Sequence, residues 1–412
     1  MNKQTAPRHC DLPWFPLQGN DLMIGRQTVS QLAEHIGSTP FYAYDRQFIS
    51  QRVRLLRDAL PAQIKLHYAV KANPMPELMH HLAGQVDGFD IASAGELELA
   101  LDTDMSPRNI SFTGPGKGDD ELKAAINAGV TINLESEGEM IRLAGLGQAC
   151  GKRPRVTLRI NPDFELKSSG LRMGGGARQF GIDAEIAPQI LKKLAALDLE
   201  FLGLHIFSGS QSLSAQAIME SQNEALKLAL RLAEYAPAPI RVLNLGGGFG
   251  IPYFPGEQPL DIEPIGDNLQ SLCGQVNTSL PEAAINLELG RYLVGEAGIY
   301  VCRIIERKVS RGQVFLVTDG GLHQHLAASG NFGQIIRKNY PVVIANKMDS
   351  SELESVTIVG RLCTPLDVLA DKMELPKAKP GDLVAILQSG AYGFSASPSG
   401  FLSHPVAREI LI

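Results

Sequence analysis

The segment Lys65-Leu-His-Tyr-Ala-Val-Lys-Ala-Asn-Pro74 decides how the rest of the chain is read. Ile64, Leu66, Tyr68 and Val70 alternate with the residues between them at the period of a β-strand. The run stops at Lys71-Ala-Asn-Pro74, where the proline disfavours helical geometry at Asn73 and a loop must begin. Lys71 therefore sits at the C-terminal end of an apolar strand. In a parallel α/β barrel that end carries the chemistry, and a lysine in apolar surroundings has a lowered pKa suited to amine nucleophilicity, as in a Schiff base. A surface lysine closing a strand is the plainer alternative, and the surrounding sequence has to separate the two.

Working outwards, residues 1–35 are polar and proline-broken, with a short strand at Leu22–Ile24 and an amphipathic helix over 28–36. From Phe41 strand-like and helical segments alternate. The strands are predicted at 41–44, 64–70, 89–91, 110–112, 131–134, 155–160, 202–206, 242–245 and 284–287, with helices between most of them. About eight such units predict a closed (β/α)8 barrel rather than a doubly wound sheet. After about residue 295, apolar or β-branched runs at 300–309, 314–318, 341–344, 355–359 and 383–387 lack intervening helices and predict a separate all-β domain. The expected division is an N-terminal segment 1–35 joining the β-domain, a barrel over 36–290 and the C-terminal β-domain over 291–412.

The 412 residues are 44% hydrophobic and 20% charged, which implies a packed core. A net charge of −6 without a basic tract argues against nucleic acid and acidic membrane surfaces as partners. Five scattered cysteines without a C-x-x-C pair indicate neither a disulfide framework nor a zinc knuckle. With no signal-peptide core and no run of transmembrane length, a cytosolic enzyme is expected.

Two further strand ends carry candidate chemistry. Asn244-Leu-Gly-Gly-Gly-Phe-Gly250 lets successive backbone N–H groups turn towards one anion, a phosphate cradle or else a flexible turn. It has neither the lysine and hydroxyl of a P-loop nor the spacing of the dinucleotide fingerprint. His205-Ile-Phe-Ser-Gly-Ser-Gln211 is a second small-residue turn, with Gly209 and Ser210 as extra donors. Glu288-Leu-Gly-Arg291 could form a surface ion pair. Beside an amine and a phosphate cradle, however, a carboxylate can keep a pyridine nitrogen protonated, and Arg291 can bind phosphate or carboxylate.

Lysine, cradle and carboxylate together point to pyridoxal 5′-phosphate (PLP). With Tyr68-Ala-Val-Lys71-Ala-Asn73, Asp90-Ile-Ala-Ser-Ala-Gly-Glu96, Leu158-Arg-Ile-Asn-Pro162, Phe180-Gly-Ile182, Gly209-Ser-Gln211, Gly246-Gly-Gly248, Glu288-x-Gly-Arg291, Gly360-Arg-Leu-Cys-Thr-Pro-Leu-Asp367 and Gly390-Ala-Tyr-Gly393 in order, the chain resembles the fold-type III PLP-dependent decarboxylases over nearly its whole length. This is the group of diaminopimelate and ornithine decarboxylases. The resemblance implies an alanine-racemase-like barrel plus a β-domain, and a homodimer with shared active sites. It implies that Lys71 carries the cofactor and that Ser210, Gly247, Gly248, Gly290, Arg291 and Tyr392 surround its phosphate. Glu288 would face the pyridine nitrogen, Asp90, Glu96 and Arg159 would lie below the ring, and Cys363 of the partner subunit would protonate the carbanion after CO2 leaves.

Departures from the family pattern bear on the substrate. Phe207 stands where the family usually stacks a histidine on the cofactor; it can stack but neither titrates nor donates. Thr364 stands where an acidic residue would receive a distal amine. Ala327 and Asn331 replace an arginine and a tyrosine that contact diaminopimelate. A buried distal charge needs a charged partner, so free diaminopimelate, lysine and ornithine are disfavoured. The loop 320–334 with Cys363-Thr-Pro-Leu-Asp367 is similar to the exosortase-associated and glutamyl-acyl-carrier-protein decarboxylase-like subgroup, whose small residues would suit a conjugated substrate. His323 and His325, spaced for one face of a strand, could contact substrate together with Arg291, Asn331, Thr364 and Tyr392, and no metal is assigned to them.

The expected activity is decarboxylation of an L-amino acid or of a conjugate, carrier-bound or from a siderophore-type pathway. Diaminopimelate decarboxylase proper is the nearest alternative. An amino-acid racemase is argued against by Glu288, where racemases of this fold place an arginine. A non-catalytic PLP-binding homologue is argued against by the intact Lys71, Glu288, Cys363 and Tyr392.

Overall fold

A computed structural model describes residues 8–165, 171–172 and 174–412. The chain divides into two compact units, one of residues 52–251 and 259–292, the other of residues 1–51, 252–258 and 293–412.

The first unit is a closed barrel of eight parallel strands: β1 (Lys65–Ala69), β2 (Gly88–Ile91), β3 (Ile110–Phe112), β4 (Thr131–Leu134), β5 (Arg155–Asn161), β6 (Glu200–Ile206), β7 (Val242–Gly247) and β8 (Ala284–Leu289). Each strand pairs in parallel with its sequence neighbour, and β8 closes the ring onto β1, placing Glu288 opposite His67. Helices cross back between the strands. Their starts follow capping chemistry: Ser93, Ser136 and Ser214 accept from the N–H three residues on, and Glu121 reaches back to Gly118 N–H. The first strand ends one residue earlier than alternation predicts, because Val70–Ala72 wind into a 3-10 turn. Beyond it Asn73 is extended (φ −161°), as its proline neighbour requires.

The strands bury two unlike faces. Leu66, Tyr68, Phe89, Ile132, Leu158, Leu204, Leu243 and Leu287 form the apolar face and are fully buried. Alternating with them, His67, Asp90, Asn133, Thr157, Arg159, His205, Asn244, Asn286 and Glu288 are buried too. They form the barrel interior, where barrels of this kind usually pack branched apolar side chains.

The second unit is built on an eight-stranded mixed sheet. Its long strand Gly298–Ser310 pairs antiparallel with Gln313–Thr318, Leu383–Ile386 and Phe41–Tyr44. The segment Phe41–Tyr44, which alternation sets at the head of the βα rhythm, is thus a strand of this sheet. Two strands of this eight-stranded sheet lie outside the predicted set, Val368–Pro376 and Arg408–Leu411. The first is interrupted by Asp371 and Lys372, and the second is short and ends the chain, so neither has a clean apolar period. Asp21–Ile24 pairs in a small sheet of its own, while Leu22 donates to Ala345 O (2.7 Å) and packs with Ile299, Val301 and Ala385. Loop 320–334 contains turns and no strand, so His323 and His325 do not share a strand face.

Candidate active site

At the C-terminal ends of the barrel strands, β1 delivers Lys71 and β8 delivers Glu288, 217 residues later. The Lys71 Nζ lies 3.4 Å from Glu288 Oε1. On the other carboxylate oxygen, His205 Nε2 from β6 lies 3.3 Å from Oε2. Glu288 and His205 are buried, whereas the Lys71 side chain is 42% exposed, so the amine faces an open space while its partners do not. Burial alone would raise the Glu288 carboxyl. The Lys71 ammonium first, then His205 and Arg159, outweigh it and hold Glu288 well below the usual carboxylate range. Phe207 sets its ring centre 5.8 Å from the Lys71 Nζ.

Below these groups lies an ionic ladder. Arg159 donates from Nη1 to Glu135 Oε1 (2.8 Å) and covers the Phe180 ring at 4.9 Å. Glu135 also accepts from the N–H groups of Gly114 (2.7 Å) and Gly181 (3.1 Å). Against the cost of burial, the Arg159 guanidinium lowers the Glu135 carboxyl. Next to it the buried Lys117 Nζ pairs with Glu139 (2.8 Å) and donates to Gly114 O (2.6 Å) and Asn133 O (2.9 Å). Asp90 sits on β2 with His67 Nδ1 at 3.3 Å. Glu96, raised by burial, accepts from Ala92 N–H (2.6 Å).

The glycine turns crowd against one another as a bare-backbone cradle. A Cβ on Gly248 (φ +75°) would meet Gly209 O at 2.4 Å, and one on Gly247 would meet Glu288 O at 2.2 Å. The Asn244 carboxamide accepts Gly246 N–H (2.7 Å) and turns the chain. Ser212 N–H donates to Gly248 O (2.9 Å) and Gly250 N–H to Ser212 O (2.9 Å), tying the β6 and β7 turns together. Ser210 is half-buried in the first turn; Gly290 and Arg291 follow β8, Gly290 being pressed against Ala69 and Ala72. An amine, a buried carboxylate and a side-chain-free anion cradle fit a phosphorylated pyridine aldehyde.

Cys363, Thr364, His323, Asn331 and Tyr392 belong to the other unit. Cys363 is exposed, on a turn held by Asp367, whose carboxylate accepts from Leu362 N–H (2.9 Å) and Leu322 N–H (2.7 Å). Gly321 and Gly360 leave room for that carboxylate, which burial raises above its ordinary pKa. His323 is wholly buried, and burial followed by His404 pushes it down to about 4. Burial pushes His325 to about 3; its ring lies 2.9 Å from Ser389 Oγ and accepts Ala328 N–H at 3.3 Å. Asn331 Nδ2 donates to Ser329 Oγ (2.7 Å) and Leu366 O (3.3 Å). Tyr392 adopts φ +54° with its ring 6.3 Å from Phe332.

Sequence reasoning had not singled out His205 as more than the start of a turn, nor His67, Glu135 and Lys117 at all. The available signal was polar residues at alternate positions of apolar strands, which in an open sheet marks the solvent face and only in a closed barrel marks its inside.

Residues 46–295 match the model of the family described as pyridoxal-dependent decarboxylase, pyridoxal binding domain. The chain is 40% identical over 379 residues to the L-glutamyl-[BtrI acyl-carrier protein] decarboxylase of Niallia circulans, covering 90% of this chain and 88% of the relative. It is 31% identical over 403 residues to the diaminopimelate decarboxylase of Aquifex aeolicus (97% and 92% covered). The crystal structure of diaminopimelate decarboxylase from M. jannaschii with L-lysine superposes with a TM-score of 0.88 at 26% identity, over 97% of this chain and 92% of that one. The match over 250 residues and the end-to-end similarity place the chain in the pyridoxal-dependent decarboxylase family of fold type III.

Proposed function

We propose that this decarboxylase uses PLP to remove the α-carboxylate of an L-amino acid presented as a conjugate, such as a thioester on an acyl-carrier protein. The observation that supports the cofactor assignment best is the Lys71 amine 3.4 Å from the buried Glu288, on the same barrel mouth as the Gly246–Gly248 cradle. Lys71 would anchor the cofactor covalently, Glu288 would keep a proton on the pyridine nitrogen, and Phe207 would cover the ring. Ser210, Gly247, Gly248, Gly290, Arg291 and Tyr392 would hold the phosphate, with Asp90 and Arg159 beneath. When bound, the pyridinium ring supplies the sink for the electrons left as CO2 departs. Cys363 would return a proton to the α-carbon, supplied by the partner subunit of a homodimer in the cytoplasm.

Substrate choice rests on neutral groups. Thr364 and Ala327 carry no charge, and the Asn331 amide is already engaged with Ser329 and Leu366. A distal ammonium or carboxylate buried there would lack the counter-charge it needs. Asn331 and Thr364 are therefore read as contacts to an uncharged substrate arm, whereas the wholly buried His323 presents no surface to one, and the similarity to a carrier-protein decarboxylase supports that reading. The second reading, decarboxylation of free diaminopimelate, is supported by the 31% identical relative of that name. CO2 release and product mass over free diaminopimelate, lysine, ornithine and glutamate, and over the same amino acids as carrier thioesters, separate them. Turnover confined to conjugates supports the proposal; rapid turnover of free diaminopimelate overturns it.

A further inference from the structure

The barrel interior holds a group that the proposed chemistry leaves unused. His67 projects inward from β1, between β8 carrying Glu288 and β2 carrying Asp90. Gly88 makes room for it: a Cβ there would meet the imidazole at 2.5 Å. His67 Nδ1 lies 3.3 Å from Asp90 Oδ2, and among the described residues Asp90 has no hydrogen bond on either oxygen although it is only 4% exposed. On the other side, His67 Nε2 lies 3.2 Å from the Asn286 amide nitrogen, Nδ2. That amide suits both charge states, since its nitrogen donates to a neutral ring and, turned over, its oxygen accepts from a protonated one. His67 also lines a cavity of about 330 Å³ at the N-terminal mouth of the barrel, walled by Ser111, Asn133, Thr157 and Asn244. Water there can exchange protons with the ring from the end opposite Lys71.

We infer that His67 is a positioning residue, a buried imidazolium that pairs with the Asp90 carboxylate and fixes it below the cofactor pocket. A buried carboxylate with no other donor among the described residues is held at least cost by a cation lying against it. The charged groups around His67 are Asp90 from β2, Asp87 just before it, Glu288 from β8 and Lys65 from its own strand, with Arg108 ahead of β3 and Arg155 on β5 lining the same cavity. Burial disfavours the proton on His67, but Asp90 first, then Glu288 and Asp87, reverse that and raise it above an ordinary imidazole. The charge is thus present at low pH and is lost as pH rises through the raised pKa. The role given to Asp90 rests on the PLP reading; the charge on His67 does not.

The test is 15N NMR of histidine-labelled protein, unloaded and PLP-loaded, with the His67 ring assigned by its disappearance in His67→Gln. Both ring nitrogens should carry protons at pH ~7 and titrate above the usual ~6.5. PLP affinity, followed by absorbance, should fall about tenfold in His67→Leu, equivalent to ~1.4 kcal/mol. The same substitution should have no further effect once Asp90→Asn is in place, thermal melts confirming that each variant folds. A neutral ring at pH ~6.5, or additive losses in that cycle, overturns the inference. Absent PLP binding in the unaltered protein would instead overturn the cofactor reading, leaving the NMR titration to judge His67.

Discussion

The two mouths of the barrel are both polar, yet they are built differently. At the C-terminal mouth, charges oppose charges: Lys71 against Glu288, Arg159 against Glu135, Lys117 against Glu139, beside glycine turns too tight for any side chain. Towards the N-terminal mouth neutral groups hold one another, with Asn133 donating to Ser111 (2.7 Å) and Thr157 donating to Asn133, around an open cavity whose charged lining, Lys65, Asp87, Arg108 and Arg155, stands at the strand starts. Neutral amides satisfy one another and need nothing further. Buried charges constrain their neighbours in identity and position, because removing one partner strands the other. Chemistry gathers where charge is balanced around a space large enough for a ligand.

That contrast can be broken at several points. Lys71→Ala should abolish the cofactor's covalent absorption band and lower CO2 release by at least ~10³-fold, since the activated amine itself is removed. Next, Glu288→Gln should lower kcat by about 10²–10³-fold while PLP still binds, the loss expected when a preorganised electrostatic partner is removed. Retained kcat would mean that Glu288 only braces Lys71 and His205. Gly248→Ala adds a Cβ 2.4 Å from the Gly209 carbonyl at a φ of +75°. It should cost about 1–3 kcal/mol and weaken PLP more than amino-acid substrate, as separate titrations would show.

Acid should discriminate the mouths too. Glu288 and Glu135 have lowered pKa values in the fold, so the unfolded chain binds more protons as they titrate. Their contribution is present above the unfolded value near ~4.3 and is lost as pH falls through the lower folded values. Urea midpoints followed downwards from neutral pH should therefore fall, and fall less steeply in Glu135→Gln. The smallest effect belongs to the neutral Asn133 network. Ser111→Ala removes one acceptor for Asn133 and should cost only about 0.5–1.5 kcal/mol in urea unfolding, with CO2 release unchanged. A large loss of activity there would show that the two mouths are more closely coupled than their chemistry implies.

Much of this was legible in the chain. The βα alternation, the loop forced by Pro74, the glycine-rich turn after β7 and the carboxylate after β8 are local patterns, readable because each follows from a strand period or a backbone constraint within a few residues. What escaped were relations between distant strands. Phe41–Tyr44 has an apolar composition equally suited to a barrel strand and to the mixed sheet, and only its pairing with Gly298–Ser310 decides between them. His323 and His325 have the spacing of a strand face, but the turns of loop 320–334 bury one beside His404 and the other beside Ser389.

The amino-acid sequence alone determined the barrel class, the β-rich remainder and the residue types at the strand ends, because propensity, alternation and turn chemistry act over short stretches. Tertiary structure alone decided that alternate polar residues face the barrel interior, that His205 reaches the far oxygen of Glu288, and that His67 faces Asp90. Those contacts join residues from 23 to more than 80 positions apart. Closure of the ring sets them, since eight strands in register leave each inward side chain only the neighbours that the barrel's geometry provides.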